Sequence, residues 1–185
     1  MLGFTILALA GSLIAAPADT TMNGVTLPGT VDVGGKTLVL NGMALRKKAI
    51  FKVYVAGLYV ATKSSDAATI LAADAPRRMV MQFLRDVGKD KLCEGWDDGL
   101  KDNTPDASAQ LKTDFSTLCG WMAEIKEKEQ VVFTYVPGTG TEISFAGAVK
   151  GTIAGKDFSD AVLKAWIGPK PGPGEDFRKH VLGAN

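Results

Sequence analysis

The residues from Asn41 to Thr62, NGMALRKKAIFKVYVAGLYVAT, are the strongest strand-forming stretch of the chain. From Ile50 to Ala61 this stretch is rich in valine and aromatic residues and almost free of strand breakers, which is typical of a half-buried strand. The pattern predicts two long strands, Lys36–Leu45 and Ala49–Thr62, joined by a short basic segment.

Alternating apolar and polar positions predict more strands on both sides of this pair. In Arg78–Val87, Met79 and Met81 fall on one face while Val80 falls on the other. Glycine- and proline-containing turns separate the later strands, which favours an antiparallel meander. The other predicted strands are Val25–Pro28, Thr30–Val33, Gln130–Val136, Glu142–Phe145 and Val149–Ile153.

Apolar residues at intervals of three and four predict helices between and after the strands. The clearest stripe belongs to a helix that should begin at Thr104, a cap residue, with Pro105 in its first turn. Its apolar positions are Leu111, Phe115, Leu118, Met122 and Ile125. The other predicted helices are Asp66–Ala73 with Ser65 as its cap, Lys89–Lys101, Asp157–Ile167 and Asp176–Leu182.

This order of strands and helices predicts an α+β fold, because repeated strand–helix–strand units are absent. We expect one domain, residues 19–185, with a large, mainly antiparallel sheet and a layer of helices on one face. Nearly half of the residues are hydrophobic, which is ample for its core.

The first 18 residues differ from the rest. Leu2–Ala16 is an uncharged run of apolar and small residues, too short to span a membrane. It predicts a signal peptide, residues 1–18, and hence an exported, periplasmic protein without a membrane span after cleavage. A buried first helix, or a lipid-anchored or uncleaved form, is the alternative.

The charge of the chain bears on a nucleic-acid partner, and its two cysteines bear on a disulfide. The chain has 21 basic and 20 acidic residues, and its basic doublets, such as Arg77-Arg78, are expected at solvated strand ends, so no nucleic-acid partner is predicted. Cys93 and Cys119 lie on neighbouring predicted helices. In an exported protein they can form a disulfide, and otherwise they are two small buried residues.

Motifs for common catalytic chemistry are missing. His180 is the single histidine, so triad and zinc chemistry have little support, and Asp97-Asp98 fits a solvated helix face. No phosphate-binding loop or dinucleotide fingerprint occurs. The sequence therefore predicts neither a metal site nor a cofactor.

Arg46 and Tyr54 remain as candidate ligand-binding residues. A guanidinium and a phenol beside a buried sheet face can hold a carboxylate or a phenolate. A tight hairpin turning at Lys47-Lys48 would place Tyr54 opposite Gly42, about 13 Å from Arg46. The alternative is that Arg46 is a solvated strand end and Tyr54 a core residue.

Four segments in order resemble the chalcone isomerase-like family, in particular its bacterial exported members. LRKKAIFKVYVAGLYV at Leu45–Val60 is similar to the core strand pair of that family. FLRDV at Phe83–Val87, GTIAGKDF at Gly151–Phe158 and AWIG at Ala165–Gly168 follow the same pattern. The resemblance implies an open-faced β-sandwich with a ligand cleft between the sheet and the helices.

The family includes isomerases that close a chalcone into a flavanone and non-catalytic fatty-acid binders. In the fatty-acid binders an arginine and a tyrosine hold the carboxylate, and their positions match Arg46 and Tyr54. The isomerases carry a threonine where Tyr54 stands, and a tyrosine and an asparagine that Asp86–Cys93 lacks. The resemblance therefore favours a non-catalytic binder over an enzyme.

Three hypotheses about function follow. The first is an exported binder of a fatty acid or similar amphipathic carboxylate in the cleft. The second is an intramolecular lyase of the chalcone isomerase type, in which Arg46 stabilises the phenolate or enolate of a phenolic substrate. The third is a structural or interaction module of the cell envelope without a small ligand.

Overall fold

Seven strands form one antiparallel sheet in the computed structural model, which describes residues 17–184. Each strand pairs with its neighbour in sequence, so the sheet follows the chain order. Its strands are β3 (Thr30–Val33), β4 (Lys36–Lys48), β5 (Phe51–Val60), β6 (Arg77–Phe83), β7 (Gln130–Val136), β8 (Gly140–Phe145) and β9 (Ala148–Ile153). Two shorter strands, β1 (Thr20–Met22) and β2 (Val25–Leu27), form a separate ribbon.

The helices occur where the apolar stripes predict them, with shifted ends. They are α1 (Ala67–Ala72), α2 (Lys89–Asn103), α3 (Ala109–Trp121), α4 (Lys156–Ile167) and α5 (Glu175–Val181). The predicted α+β fold with a large antiparallel sheet is confirmed.

Two cores lie on opposite faces of the sheet. Met79 and Met81 belong to the large core beneath the helices, whereas Val80 belongs to a smaller core that includes Val25 and Leu27 of the ribbon. The predicted alternation of these residues is therefore confirmed.

The β4–β5 hairpin differs from the predicted one. Lys47 and Lys48 belong to β4, the turn falls at Ala49 and Ile50, and a bulge separates Arg46 from Lys47. In this register Arg46 is the direct cross-strand partner of Tyr54. The basic residues predicted to join the two strands thus extend β4 instead. Arg46 and Tyr54 lie closer together than a tight turn at Lys47-Lys48 would place them, because the longer β4 and the bulge shift the pairing.

Two helix caps also differ. Ser108, not Thr104, caps α3 by accepting a hydrogen bond from the Leu111 N–H, while Thr104 ends α2. Asp66, not Ser65, caps α1. Pro105 makes Thr104 resemble the first cap residue of a helix. Residues 104–107 instead form the turn between α2 and α3, so α3 begins after Ser108.

Arg77 is not at a solvated strand end, because only 4% of it is exposed. Its guanidinium donates to Ser159 Oγ at 2.7 and 3.0 Å and forms an ion pair with Asp160. The prediction that Arg77 lies at a solvated strand end is wrong, because α4 and α1 cover this end of β6.

The C-terminal helix α5 lies on β4. A Cβ at Gly42 would clash with the backbone carbonyls of His180 and Val181, so glycine permits this close approach. Asn41 Nδ2 donates to the Val181 carbonyl at 3.2 Å and to the Ser64 carbonyl at 3.0 Å. These contacts hold α5 at the edge of the helical layer.

A disulfide joins Cys93 of α2 to Cys119 of α3, with the two Cα atoms 5.3 Å apart.

Within residues 17–184, no helix combines the length and the apolarity that crossing a membrane requires. Residues 1–16, most of the predicted signal peptide, lie outside the described residues.

Candidate functional site

Arg46 and Tyr54 are cross-strand partners at the end of the sheet where β4, β5 and β6 are last paired side by side. Tyr54 pairs with Arg46 on one side and with Phe83 on the other. Directly opposed residues share a face of a sheet, so Arg46 lies on the face of Tyr54, towards the helices. The structure thus brings together the two residues that the sequence singles out.

The Tyr54 side chain is 9% exposed and sits among aromatic rings. The centroids of Phe83 and Phe177 lie 5.5 and 6.0 Å from its ring. Trp166 Nε1 donates a hydrogen bond to the Tyr54 hydroxyl oxygen at 3.0 Å. Within residues 17–184 the Tyr54 hydroxyl proton has no acceptor, so it is free for an incoming oxygen.

Burial controls the ionisation of Tyr54. It raises the pKa of Tyr54 to about 12, although the Trp166 hydrogen bond and the Arg46 charge both act to lower it. The phenol is therefore neutral at physiological pH and acts as a hydrogen-bond donor rather than as a base.

Arg46 is half-buried and has no ion pair or hydrogen bond with any other described residue. A third donor, Trp96 Nε1, is buried without a partner in the part of the chain that the structure describes. The Trp96 ring contacts Trp166, with centroids 5.5 Å apart. Arg46 and the Tyr54 hydroxyl thus offer hydrogen-bond donors that no described residue accepts, which suits an anionic oxygen ligand.

Aromatic side chains fill the space between the sheet and the helices. A cavity of about 20 Å³ lies beyond Trp166, lined by Leu58, Phe133 and Arg77 among others, and has room for one water molecule. A larger pocket of about 220 Å³ lies between α1 and the ends of β5 and β6. Arg46 and Tyr54 line neither space, so the predicted cleft stays a prediction.

Other candidate residues lie apart from this pair. His180 is exposed on α5, and Asp97 and Asp98 are exposed on α2. Among residues 17–184, no three histidine, cysteine or acidic side chains cluster as a metal site would need.

Three site residues have no functional signal in the sequence. Trp96 and Trp166 occupy predicted core faces of helices, and Phe177 is an ordinary apolar position of the last helix. Their roles depend on contacts between residues that are distant in sequence: Trp166 and Tyr54, for example, are 112 residues apart. No local pattern in the sequence distinguishes them from other core residues.

Comparison with known proteins adds the family and the fold. A model of the chalcone isomerase-like family matches residues 19–183. The crystal structure of a fatty-acid binding protein from Arabidopsis thaliana is similar in fold, with a TM-score of 0.68 and 18% identity over 89% of this chain and 95% of that one. No curated protein matches the sequence.

Proposed function

The chain belongs to the chalcone isomerase-like family, and on that premise we propose that it binds a fatty acid or a similar amphipathic carboxylate without catalysis. The observation that carries the proposal is the direct pairing of Arg46 with Tyr54 at the edge of the helical layer.

The head group would be held by the donors that lack acceptors. Arg46 offers a charged fork that matches a carboxylate, and Tyr54 adds a neutral hydroxyl oriented by Trp166. The fatty-acid binding activity named for the Arabidopsis neighbour supports this choice of ligand class.

The alkyl chain would enter between the sheet and the helices as aromatic side chains move aside. Phe177 is the first candidate to move, because it lies on the seven-residue helix α5 at the edge of the layer and contacts Tyr54 edge-on. Each CH₂ that leaves water contributes about 0.8 kcal/mol, so the chain would supply most of the affinity.

Calorimetric titration of delipidated protein with palmitic acid tests the proposal. The wild type is expected to bind the acid more tightly than its methyl ester, which lacks the charge. Arg46→Met should weaken acid binding by about ten- to a hundredfold, because a charge-assisted hydrogen bond contributes about 1.5–3 kcal/mol, and should abolish the preference over the ester.

Arg78→Met is the matched control, since Arg78 is also half-buried but donates to Thr134 elsewhere on the sheet. It should bind like the wild type. No binding by folded wild-type protein, or equal binding by Arg46→Met, would refute the proposal.

A second candidate function is an interaction module without a small ligand. The packed aromatic layer and the small cavity beyond Trp166 favour it. In that case palmitic acid neither binds nor raises the melting temperature, and protein purified under native conditions releases no lipid to mass spectrometry.

Export is the remaining part of the proposal. The predicted signal peptide and the Cys93–Cys119 disulfide support it, because disulfides persist in oxidising compartments such as the periplasm. Mass spectrometry of the protein from cell fractions should find the chain in the periplasm, starting near residue 17 or 19. A full-length chain in the cytoplasm would contradict export.

A further inference from the structure

The β4–β5 hairpin projects beyond the rest of the sheet. The paired rows of β5 and β6 end at Tyr54 and Phe83, with one more backbone hydrogen bond from the Leu84 N–H to the Val53 carbonyl, whereas β4 and β5 stay paired through Lys48 and Phe51. The turn at Ile50 therefore lies about 13 Å beyond the Tyr54 row, four residues along the strand. We call residues 47–52 the hairpin tip.

The hairpin tip carries large apolar side chains in water. Ile50 is 88% exposed and Phe51 is 52% exposed. Among residues 17–184 only one other large hydrophobic side chain is as open, Val149 on β9 at 60%. Ile50 gains little from the fold and Phe51 is only half covered, so a partner could bury both side chains.

Basic side chains surround this apolar pair. Lys47, Lys48 and Lys52 are exposed and form no ion pair with another described residue, and the Arg85 guanidinium lies over the Phe51 ring at 4.5 Å. The Lys48 charge also helps to lower the pKa of Glu94 on α2, but Glu94 is already paired with Lys91. The hairpin tip is therefore apolar at its end and positive around it.

We propose that the hairpin tip docks on an anionic lipid surface. Ile50 and Phe51 enter the interface, where apolar side chains reach about 5–10 Å deep, and the lysines contact the lipid headgroups. Each lysine near such a surface strengthens binding by a factor of about five. This docking does not depend on fatty-acid binding, although it would place Arg46 and Tyr54 close to the membrane.

Co-sedimentation with vesicles tests the docking. The mature chain should bind vesicles of equimolar phosphatidylcholine and phosphatidylglycerol, and bind pure phosphatidylcholine much less. The pair Lys47→Gln and Lys48→Gln should lower the partition coefficient about twenty-fivefold, two factors of about five. The pair Ile50→Ser and Phe51→Ser should lower it at least about tenfold, since burial of each side chain is lost.

The chain offers matched controls for both pairs. Val149→Ser removes an apolar side chain whose exposure lies between those of Phe51 and Ile50, and Lys36→Gln with Lys63→Gln removes two exposed charges outside the hairpin tip. Both control variants should bind vesicles like the wild type.

The proposal is overturned if the folded wild type does not bind the anionic vesicles, or if the tip variants and the controls lose binding equally. Self-association that needs Ile50 and Phe51, seen by light scattering without vesicle binding, would instead assign the tip to a second copy. Palmitic acid titration of the same samples separates the two proposals, because vesicle binding without fatty-acid binding refutes only the proposed ligand.

Discussion

Burial changes the chemistry of all three tyrosines of the chain. Desolvation is the largest cause in each case and raises the pKa of Tyr54, Tyr59 and Tyr135 to about 12. For Tyr135 the hydrogen bond to the Asp74 carboxylate, at 2.6 Å, raises the pKa further. The folded protein therefore favours neutral phenols more strongly than the unfolded chain does.

We predict that the folded protein loses stability at alkaline pH. Because the folded pKa of each tyrosine exceeds its value in the unfolded chain, near 10, this stabilisation is complete below pH 10 and is lost as the pH rises towards 12. Ultraviolet difference absorbance should show almost no phenolate in the folded protein at pH 10.

The chain unfolded in guanidinium chloride is the control and should be about half ionised at pH 10. A folded protein that shows the same phenolate signal at that pH would contradict the burial of these phenols.

The Arg46–Tyr54 pair shows how far single residues could be predicted. The types of the two side chains and their place in a long strand pair are visible in the sequence. Their cross-strand pairing is not, because a bulge and a turn at Ala49–Ile50 set the register. A bulge adds one residue to one strand, and no local pattern of apolar residues requires it here.

Helix α3 illustrates the limits of cap prediction. Both Thr104 and Ser108 are suitable cap residues, and Pro105 favours the first. In the structure Ser108 Oγ accepts the Leu111 N–H at 3.1 Å, while Thr104 Oγ1 is buried and without a partner among the described residues. The two positions should therefore respond differently to substitution.

Ser108→Ala should lower the free energy of unfolding by about 1 kcal/mol, because a cap hydrogen bond is lost. Thr104→Val, which keeps the shape and removes an unpaired hydroxyl, should be neutral or stabilising. Urea denaturation measures both values. If Thr104→Val costs more than Ser108→Ala, the assignment of the cap is wrong.

Arg77 connects distant parts of the molecule in one buried network. It joins β6 to α4 through Ser159 and Asp160, and its Nη1 donates to the Ile70 carbonyl of α1 at 3.3 Å. Its guanidinium also lies over the Tyr135 ring of β7, 5.1 Å from the centroid. Lys156 pairs with the same Asp160 at 2.6 Å. Four elements therefore depend on one charged side chain.

Arg77→Met should lower the free energy of unfolding by about 3 kcal/mol, since removal of one partner leaves buried polar groups unpaired. Its sequence neighbour gives the comparison: Arg78→Met loses one hydrogen bond to Thr134 Oγ1 and should cost about 1 kcal/mol. Urea denaturation of both variants checks the difference. Equal losses would show that the Arg77 network stabilises the fold no more than the single hydrogen bond of Arg78 does.

The order of strands and helices, the two faces of β6 and the family resemblance all follow from the sequence alone. They do so because periods of 2 and 3.6 residues report, within a few positions, which side of a strand or helix is buried. The same local information supplied Arg46 and Tyr54 as candidates.

The tertiary structure alone decided the Arg46–Tyr54 pairing, the hydrogen bond from Trp166, the burial of Arg77 and the projection of the hairpin tip. Each depends on strand register or on helices that are distant in sequence packing against one end of the sheet. Such contacts are set by the packing of the whole molecule, which short patterns do not encode.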